Sequence, residues 1–426
     1  MRRQPWPTTA PATTGRQRLG ARGRVGRSGV PLLVGSYRVP VTVRLRPILA
    51  DLPTYRAGKP PPAGGGLYGY KLSSNENPFP PLPGVVEAVA AAAAMQNRYP
   101  APFAVDLEAA LAARFGVPAS RVVAGAGSVG VLQQLVAATA GDGDEVVFGW
   151  RSFEAYPIVV QVGGATAVPV PLTADGRHDL PSMAAAVTER TRMVLLCTPN
   201  NPTGPVLGHE EVVAFLDEVP DDVLVVLDEA YVEFVRTPGA VDGPRLARRR
   251  RNVALLRTFS KAYGLAGMRV GFAVAPEPVA VALRQVTIPF AVTALAQAAA
   301  LASLAAEREL LQRVDALVTE RTRVVGELAA QGWDLPEAAG NFVWLPTGAD
   351  TAWFVEQCDE ARVTVRPFDG EGVRVTVGED FGNERILEIA SRFVDRAAEG
   401  AASPAVAAAG APLPDASTDP DEALAD

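Results

Sequence analysis

Thr258-Phe259-Ser260-Lys261-Ala262-Tyr263-Gly264-Leu265-Ala266-Gly267-Met268-Arg269 is the stretch on which the reading of this chain turns. Only three lysines occur in 426 residues, against 40 lysines and arginines together, and Lys261 is one of them. A lysine kept where nearly every other cation is arginine points to a task that guanidinium cannot perform. Arginine stays protonated, whereas an amine with a lowered pKa is a nucleophile that condenses with an aldehyde. Ser260 and the glycine turn leading to Arg269 add a hydroxyl and a fixed cation, the donors a phosphate takes. The stretch predicts a site for an aldehyde that also carries a phosphate.

Working outward, short β-branched runs alternate with helical ones between residues 122 and 275. Strands are predicted at Val122–Gly125, Glu145–Gly149, Ala165–Leu172, Met193–Thr198, Val223–Asp228, Asn252–Thr258 and Arg269–Ala275. Helices near 128–139, 152–161, 180–188 and 209–217 fall between several of them. That order gives an α/β fold with a mostly parallel sheet covered on both faces. Ligands on such sheets bind beyond the carboxyl ends of the strands, where the candidate motifs cluster. After Pro289 the pattern predicts one long helix to about Ala330, with Glu309 and Arg313 at i,i+4 spacing. A smaller α+β unit follows, with strands near 341–346, 362–366 and 372–377 and helices near 351–360 and 383–397.

Composition narrows the function classes. A net charge of −7 argues against a nucleic-acid partner, which needs a basic face. Cys197 and Cys358 cannot build a disulfide framework, and a reducing cytoplasm fits. His178 and His209 lack metal-ligand spacing and read as solvated loop residues, which disfavours serine–histidine hydrolysis and a histidine zinc site. The apolar run Ala291 to Ala306 carries Gln297 and leads into charged helix, so it reads as a buried helix rather than a membrane span. Residues 1–50 hold ten arginines and no acid, without an apolar signal core. Organelle transit peptides share that look. Residues 1–40 read as a disordered extension and 399–426 as a disordered tail.

Pyridoxal phosphate asks a protein for an amine, a carboxylate at its ring nitrogen, donors at its phenolic oxygen, a stacking partner and a phosphate cradle. Lys261 is the amine. Asp228 ends the apolar run Val223-Leu224-Val225-Val226-Leu227, where a buried carboxylate needs a cationic partner such as a pyridinium N–H. Alone, it reads equally as a strand-end cap. Asn201, in Pro199-Asn200-Asn201-Pro202-Thr203-Gly204, and Tyr231, three residues past Asp228, are donors for the phenolic oxygen. Gly127, Ser128 and Val129, between a strand and a helix, offer free N–H groups for the phosphate, with Ser260 and Arg269 opposite. No Gly-Lys-Ser/Thr follows, so this is not a nucleotide P-loop.

The ordered set Asn-Pro-Thr-Gly, Asp-Glu-Ala-Tyr and Ser-Lys-Ala-Tyr-Gly-Leu-Ala-Gly-Met-Arg resembles the fold-type-I pyridoxal-phosphate aminotransferases, within them the histidinol-phosphate aminotransferase group. Leu72-Ser73-Ser74-Asn75-Glu76-Asn77-Pro78 and Asn97-Arg98-Tyr99-Pro100 match that group's N-terminal signatures, and the likeness runs from about Arg44 to Phe393. It implies an N-terminal segment over 41–85 packing with the small domain, a large cofactor domain over 86–290, and a linker helix with the small domain over 291–398. It also implies a homodimer in which Tyr99 reaches the neighbouring subunit's cofactor phosphate. Phe153 falls at the aromatic over the pyridine ring, though core packing would suit it equally. Arg374 matches the arginine for the substrate carboxylate, and Arg366, Asn341 and Tyr55 match pocket positions. Alone, Arg366 reads equally as a solvated strand-edge residue.

Val146-Val147-Phe148-Gly149-Trp150-Arg151-Ser152-Phe153-Glu154 and Gly127-Ser128-Val129 resemble the aromatic, or phenylalanine, aminotransferases most. Val129 stands where histidinol-phosphate enzymes commonly carry an acid. The expected reaction moves the amino group of phenylalanine or tyrosine to a 2-oxo acid such as 2-oxoglutarate. Histidinol phosphate is the alternative donor, with Arg366 meeting its phosphate. A decarboxylase using the same lysine and an effector-binding half of a transcription regulator share the scaffold. The latter needs a helix-turn-helix module that residues 1–40, broken by proline and glycine, do not supply.

Overall fold

The computed structural model describes residues 45–50, 52–55, 58–60 and 68–400, with side chains to Arg396. The expectations for residues 1–40 and 401–426 lie outside them, and residues 399 and 400, expected in the tail, instead end the helix Asp380–Gly400. Internal contacts divide the chain at Arg46/Pro47, and the unit from Pro47 holds every strand and helix described. In chain order the strands are β1 (Tyr70–Lys71), β2 (Val122–Gly125), β3 (Glu145–Trp150), β4 (Thr166–Pro171), β5 (Thr191–Cys197), β6 (Leu224–Asp228), β7 (Val253–Thr258) and β8 (Gly271–Val274), then β9 (Phe342–Leu345), β10 (Val363–Thr364), β11 (Arg366–Phe368) and β12 (Gly372–Thr376).

Seven of them form one sheet in the order β2-β8-β7-β6-β5-β3-β4. The pairs from β7 through β4 are parallel, and β8 runs antiparallel to both β2 and β7. Both faces are buried, which explains the continuous apolar runs. On β6, Leu224 and Val226 enter one core while Val225 and Leu227 enter the other. Each such side chain contributes about 1.5–3 kcal/mol by leaving water. Helices Gly127–Thr139, Ala155–Gly163 and Glu277–Val286 cover one face through Val131, Leu135, Val160 and Leu283. Val105–Phe115, His209–Glu218 and Gly243–Arg249 cover the other through Leu111, Phe215 and Leu246.

A second, antiparallel sheet has the order β11-β12-β9, and β1 pairs in parallel with β10. Its core gathers Leu72, Val343, Phe354, Val375 and Ile386, with Trp333 stacked on Phe393 at 4.9 Å. Helix Glu307–Ala330 spans both cores, placing Leu310, Val314 and Leu317 in the first and Val324 and Leu328 in this one.

Three expectations are corrected. The single long helix is two, Ala294–Ala305 and Glu307–Ala330, broken at Ala306 (φ −100°, ψ 18°). Glu307 accepts a hydrogen bond from Tyr263 Oη at 2.7 Å and also pairs with Arg114, which anchors the second start. Arg313 leaves Glu309 and donates to the Pro80 carbonyl at 2.6 Å, over the ring of Phe79. His178 is not solvated but 5% exposed, lodged where Gly149 lacks a side chain; a Cβ there would stand 2.4 Å from its Nδ1. Burial pushes its pKa down to about 4, so the ring is neutral. His209 is half-buried, its Nδ1 accepting from the Asp242 N–H at 3.2 Å.

Candidate active site

A cavity of about 510 Å³ opens beyond the carboxyl ends of β5, β6 and β7. Size and place suit a small-molecule site. Lys261 stands three residues past the end of β7, and Asp228 is the last residue of β6. Lys261 Nζ donates to the Ser74 carbonyl at 2.8 Å and lies 5.8 Å from the centre of the Tyr231 ring. Burial, then the like charge of Arg374, push its pKa down to about 7; Glu76 opposes, and Arg269 and Lys71 add to the fall. The amine is therefore available in its neutral, nucleophilic form near neutral pH.

Asp228 Oδ2 accepts from Tyr156 Oη at 2.7 Å. Its other oxygen, Oδ1, is buried without a partner. Burial pushes this carboxyl up to about 6 despite the Tyr156 bond. A buried carboxylate with one orphaned oxygen facing a cavity calls for a cationic N–H donor, which a protonated pyridine ring supplies. Beside it, Tyr231 Oη accepts from Asn75 Nδ2 at 3.0 Å, and burial raises the phenol above its ordinary range, so its own proton remains to be donated. Asn201 spends its Oδ1 on the Arg374 guanidinium.

A candidate anion cradle lies at the start of the helix Gly127–Thr139. This helix starts without a side-chain cap, leaving its first N–H groups free. Gly127 has φ +76°, and a Cβ there would stand 2.4 Å from Arg269 Nη2. At Gly271 a Cβ would meet the Ser128 nitrogen at 2.4 Å. Arg269, itself left-handed at φ +56°, brings Nη1 to 3.5 Å from Ser260 Oγ, and Thr258 Oγ1 donates to Ser260 Oγ at 3.0 Å. Two missing side chains, a helix start, a hydroxyl and a guanidinium converge on one space. The residues fit a phosphorylated pyridine aldehyde at each of its polar groups.

Arg374 stands on β12, its Nη2 donating to the Ser73 carbonyl at 2.7 Å while its Nε is buried without a partner. Arg366 faces it across the antiparallel β11–β12 pair. Its Nε and Nη2 both go to Glu154 Oε2, at 3.0 and 2.5 Å. Phe153 lines the cavity with its ring edge-on to Tyr156 (5.7 Å) and to Tyr55 (6.4 Å). Ser128, Val129, Asn201, Asp228, Tyr231, Ser260, Lys261, Arg269, Arg366, Arg374, Phe153 and Tyr55 all line this one space. Gly127 lies behind Arg269 instead. Asn341 does not reach the wall: it is buried behind it, donating to the Asn75 carbonyl at 3.2 Å. Tyr99 is 83% exposed, stacked on Phe290 at 4.7 Å, and does not line the cavity of its own chain.

Tyr156 and Glu154 escaped the sequence reading. Tyr156 sits in an apolar helical stretch and scans as core, which its ring is; only its hydroxyl reveals the contact with Asp228. Glu154 carried a detectable signal, being an acid that closely follows the buried run of β3.

The profile of the aminotransferase class I and II family matches residues 69–389. The aromatic amino acid aminotransferase of Streptomyces avermitilis is 59% identical over 350 residues, covering 82% of this chain and 97% of that one. The enzyme of the same name from Thermobifida fusca is 55% identical over 352 residues, 83% and 98% of the two chains. Among solved structures, the histidinol-phosphate aminotransferase of Sinorhizobium meliloti in complex with pyridoxal-5'-phosphate superposes with a TM-score of 0.73 at 27% identity, covering 83% of this chain and 98% of that one. A single mutant of the aspartate aminotransferase of Thermus thermophilus gives 0.69 at 26%, covering 77% and 92%. The chain belongs to the class I and II aminotransferases.

Proposed function

We propose that this aminotransferase uses pyridoxal 5'-phosphate to transfer the amino group of an aromatic amino acid, phenylalanine or tyrosine, to a 2-oxo acid such as 2-oxoglutarate. The observation that carries the substrate class is the Arg366–Glu154 pair. Arg366 is the cation that a phosphorylated imidazole would need, and Glu154 already occupies it. Around the pair the wall is Tyr55, Phe153, Ile158, Val129 and Phe368, which suits an uncharged ring. The names of the Streptomyces and Thermobifida relatives support the same reading.

In this reading Lys261 holds the cofactor, Asp228 keeps its ring nitrogen protonated, and Asn201 and Tyr231 donate to its phenolic oxygen. Ser128, Val129, Ser260 and Arg269 hold the phosphate, Gly127 starts the cradle by leaving room for Arg269, and Phe153 covers the ring. Bound there, pyridoxal phosphate supplies an electron sink for the pair left at the substrate Cα. Arg374 fixes the α-carboxylate through two parallel hydrogen bonds, which aims the Cα–H toward Lys261. Nζ of Lys261, neutral from about pH 7 upward, takes that proton and later returns it.

The unit of function is a homodimer in the cytoplasm, with Tyr99 reaching the partner's phosphate and Asn341 supporting the substrate pocket through Asn75. The exposed Tyr99, Met95, Phe103 and Ile288 support that interface, and the free Cys197 and Cys358 fit a reducing compartment. We assign 86–290 as the large domain and 291–398 as linker and small domain, with 41–85 joined to the latter through β1. Turnover of phenylalanine and of histidinol phosphate, each with 2-oxoglutarate, tests the assignment. Phenylalanine is expected to win; a higher kcat/KM for histidinol phosphate overturns it. Lys261→Ala is expected to lose nearly all turnover with both.

A further inference from the structure

Two guanidiniums stand side by side on the substrate side of the cavity, and one of them is paired with an acid. Arg366 and Arg374 are paired residues on β11 and β12, so their Cα atoms lie roughly 4.5–5.5 Å apart. Left alone, two such cations would form a site for a doubly anionic molecule. Glu154 changes the count. Its Oε2 takes both the Nε and the Nη2 hydrogens of Arg366, and the pair is partly withdrawn from water, with side-chain exposures of 10% for Arg366 and 30% for Glu154. Arg374 instead makes its hydrogen bonds to neutral oxygens, on Asn201 and Ser73. Two positive charges and one negative leave a single positive charge, so a second anionic group on a substrate has to compete with Glu154 for Arg366.

We propose that Glu154 is a specificity-determining residue: by occupying Arg366 it favours an uncharged amino-acid side chain in the pocket and makes the side-chain carboxylate of the acceptor, 2-oxoglutarate, compete with it for Arg366. An acidic or phosphorylated side chain has to displace a tethered carboxylate before it can bind Arg366. An aromatic side chain pays no such penalty and packs against Tyr55 and Phe368 beside the pair. The placement of Glu154 explains how it does this. It immediately follows Phe153 and stands at the N-cap of the helix Ala155–Gly163, so the residue that covers the ring and the residue that sets the charge are neighbours at one helix start. This inference rests on the aromatic reading above and extends it from the wall's shape to its charge.

The test uses the holoenzyme and two inert acids, succinate with two carboxylates and 3-phenylpropionate with one. Binding of each is measured by calorimetry for wild type, Glu154→Gln, Arg366→Gln and the double variant. Glutamine keeps the size of Glu154 and can still accept from Arg366, and Glu154→Ala serves as an independent removal of the charge. Because Glu154 is partly exposed, the expected gain is moderate: Glu154→Gln tightens succinate by about tenfold, or ~1.4 kcal/mol, and leaves 3-phenylpropionate within about twofold. The gain disappears in Glu154→Gln/Arg366→Gln, and KM for 2-oxoglutarate falls in Glu154→Gln but not in the double variant. Unchanged succinate affinity in both Glu154 variants overturns the proposal, as does a gain that survives loss of Arg366. Failure of wild type to bind 3-phenylpropionate or turn over phenylalanine overturns the aromatic reading instead, whatever the variants do.

Discussion

Burial disfavours the charged forms of both Lys261 and Asp228, and both shifts can be read out by pH. The Lys261 amine falls from 10.5 to about 7. Between those values the unfolded chain binds a proton that the folded chain refuses, so stability rises with pH across this window, and below pH 7 the full cost is present. Cofactor-free Lys261→Met is therefore expected to melt above wild type at pH 6, with the difference fading toward pH 10; a pH-independent difference refutes the assignment. Asp228 moves the other way, from 3.8 up to about 6. Its protonated form stabilises the fold below that window, and the contribution is lost as pH rises through 6. Asp228→Asn should stabilise the cofactor-free chain at pH 7 to 8, less so toward pH 4, while weakening cofactor binding at least tenfold in a fluorescence titration. Both residues were legible because each is chemically conspicuous, a rare lysine and an acid ending an apolar strand. Tyr156 was not, since its partner lies 72 residues away and no local pattern marks the contact. Asn341 was placed in the wall by resemblance, yet its amide turns to the Asn75 backbone.

At the scale of elements, the sheet was the most readable part. β2 spans the expected residues, and the other strands of the large sheet fall within one or two residues of expectation, because burial on both faces leaves uninterrupted apolar runs bounded by turns. The reversed direction of β8 was not legible: strand direction depends on the connection, and the loop after Lys261 doubles back within a dozen residues. Nor was the break at Ala306, which lies in alanine-rich sequence of uniformly high helix propensity and is set by where Glu307 finds Tyr263 and Arg114. The turn from β2 into its helix carries a prediction of its own. Gly127→Ala adds a methyl where Arg269 stands and strains a positive φ. It should weaken cofactor affinity by tenfold or more and raise the concentration of inorganic phosphate needed to protect the cofactor-free protein from heat. Unchanged values for both would show that Arg269 moves aside without loss.

At the scale of the whole molecule, the exposed Tyr99 defines the test of the proposed dimer. Tyr99→Ala and Lys261→Ala subunits, each nearly inactive alone, should regain activity when unfolded together and refolded as a mixture. A mixed dimer has one site with an intact lysine and a partner tyrosine, so random pairing returns about a quarter of wild-type activity. No recovery, with mixed dimers shown to form, would place Tyr99 outside the partner's site. The signature stretch from Leu72 to Pro78 marked the segment by resemblance, but not that Ser73 to Asn77 straps the two parts of the site together. Ser74 accepts from Lys261, Ser73 accepts from Arg374, and Asn75 exchanges hydrogen bonds with Thr376 while donating to Tyr231. The two arginine and lysine contacts close over 301 and 187 positions. On a ribosome adding about 5–20 residues per second, the strap emerges on the order of 15–60 s before the arginine it will bind. A nascent chain stalled ahead of Arg374 thus owns the lysine, the carboxylate and every strand of the large sheet but no finished chamber, and catalytic competence arrives only with the last strand to be synthesised.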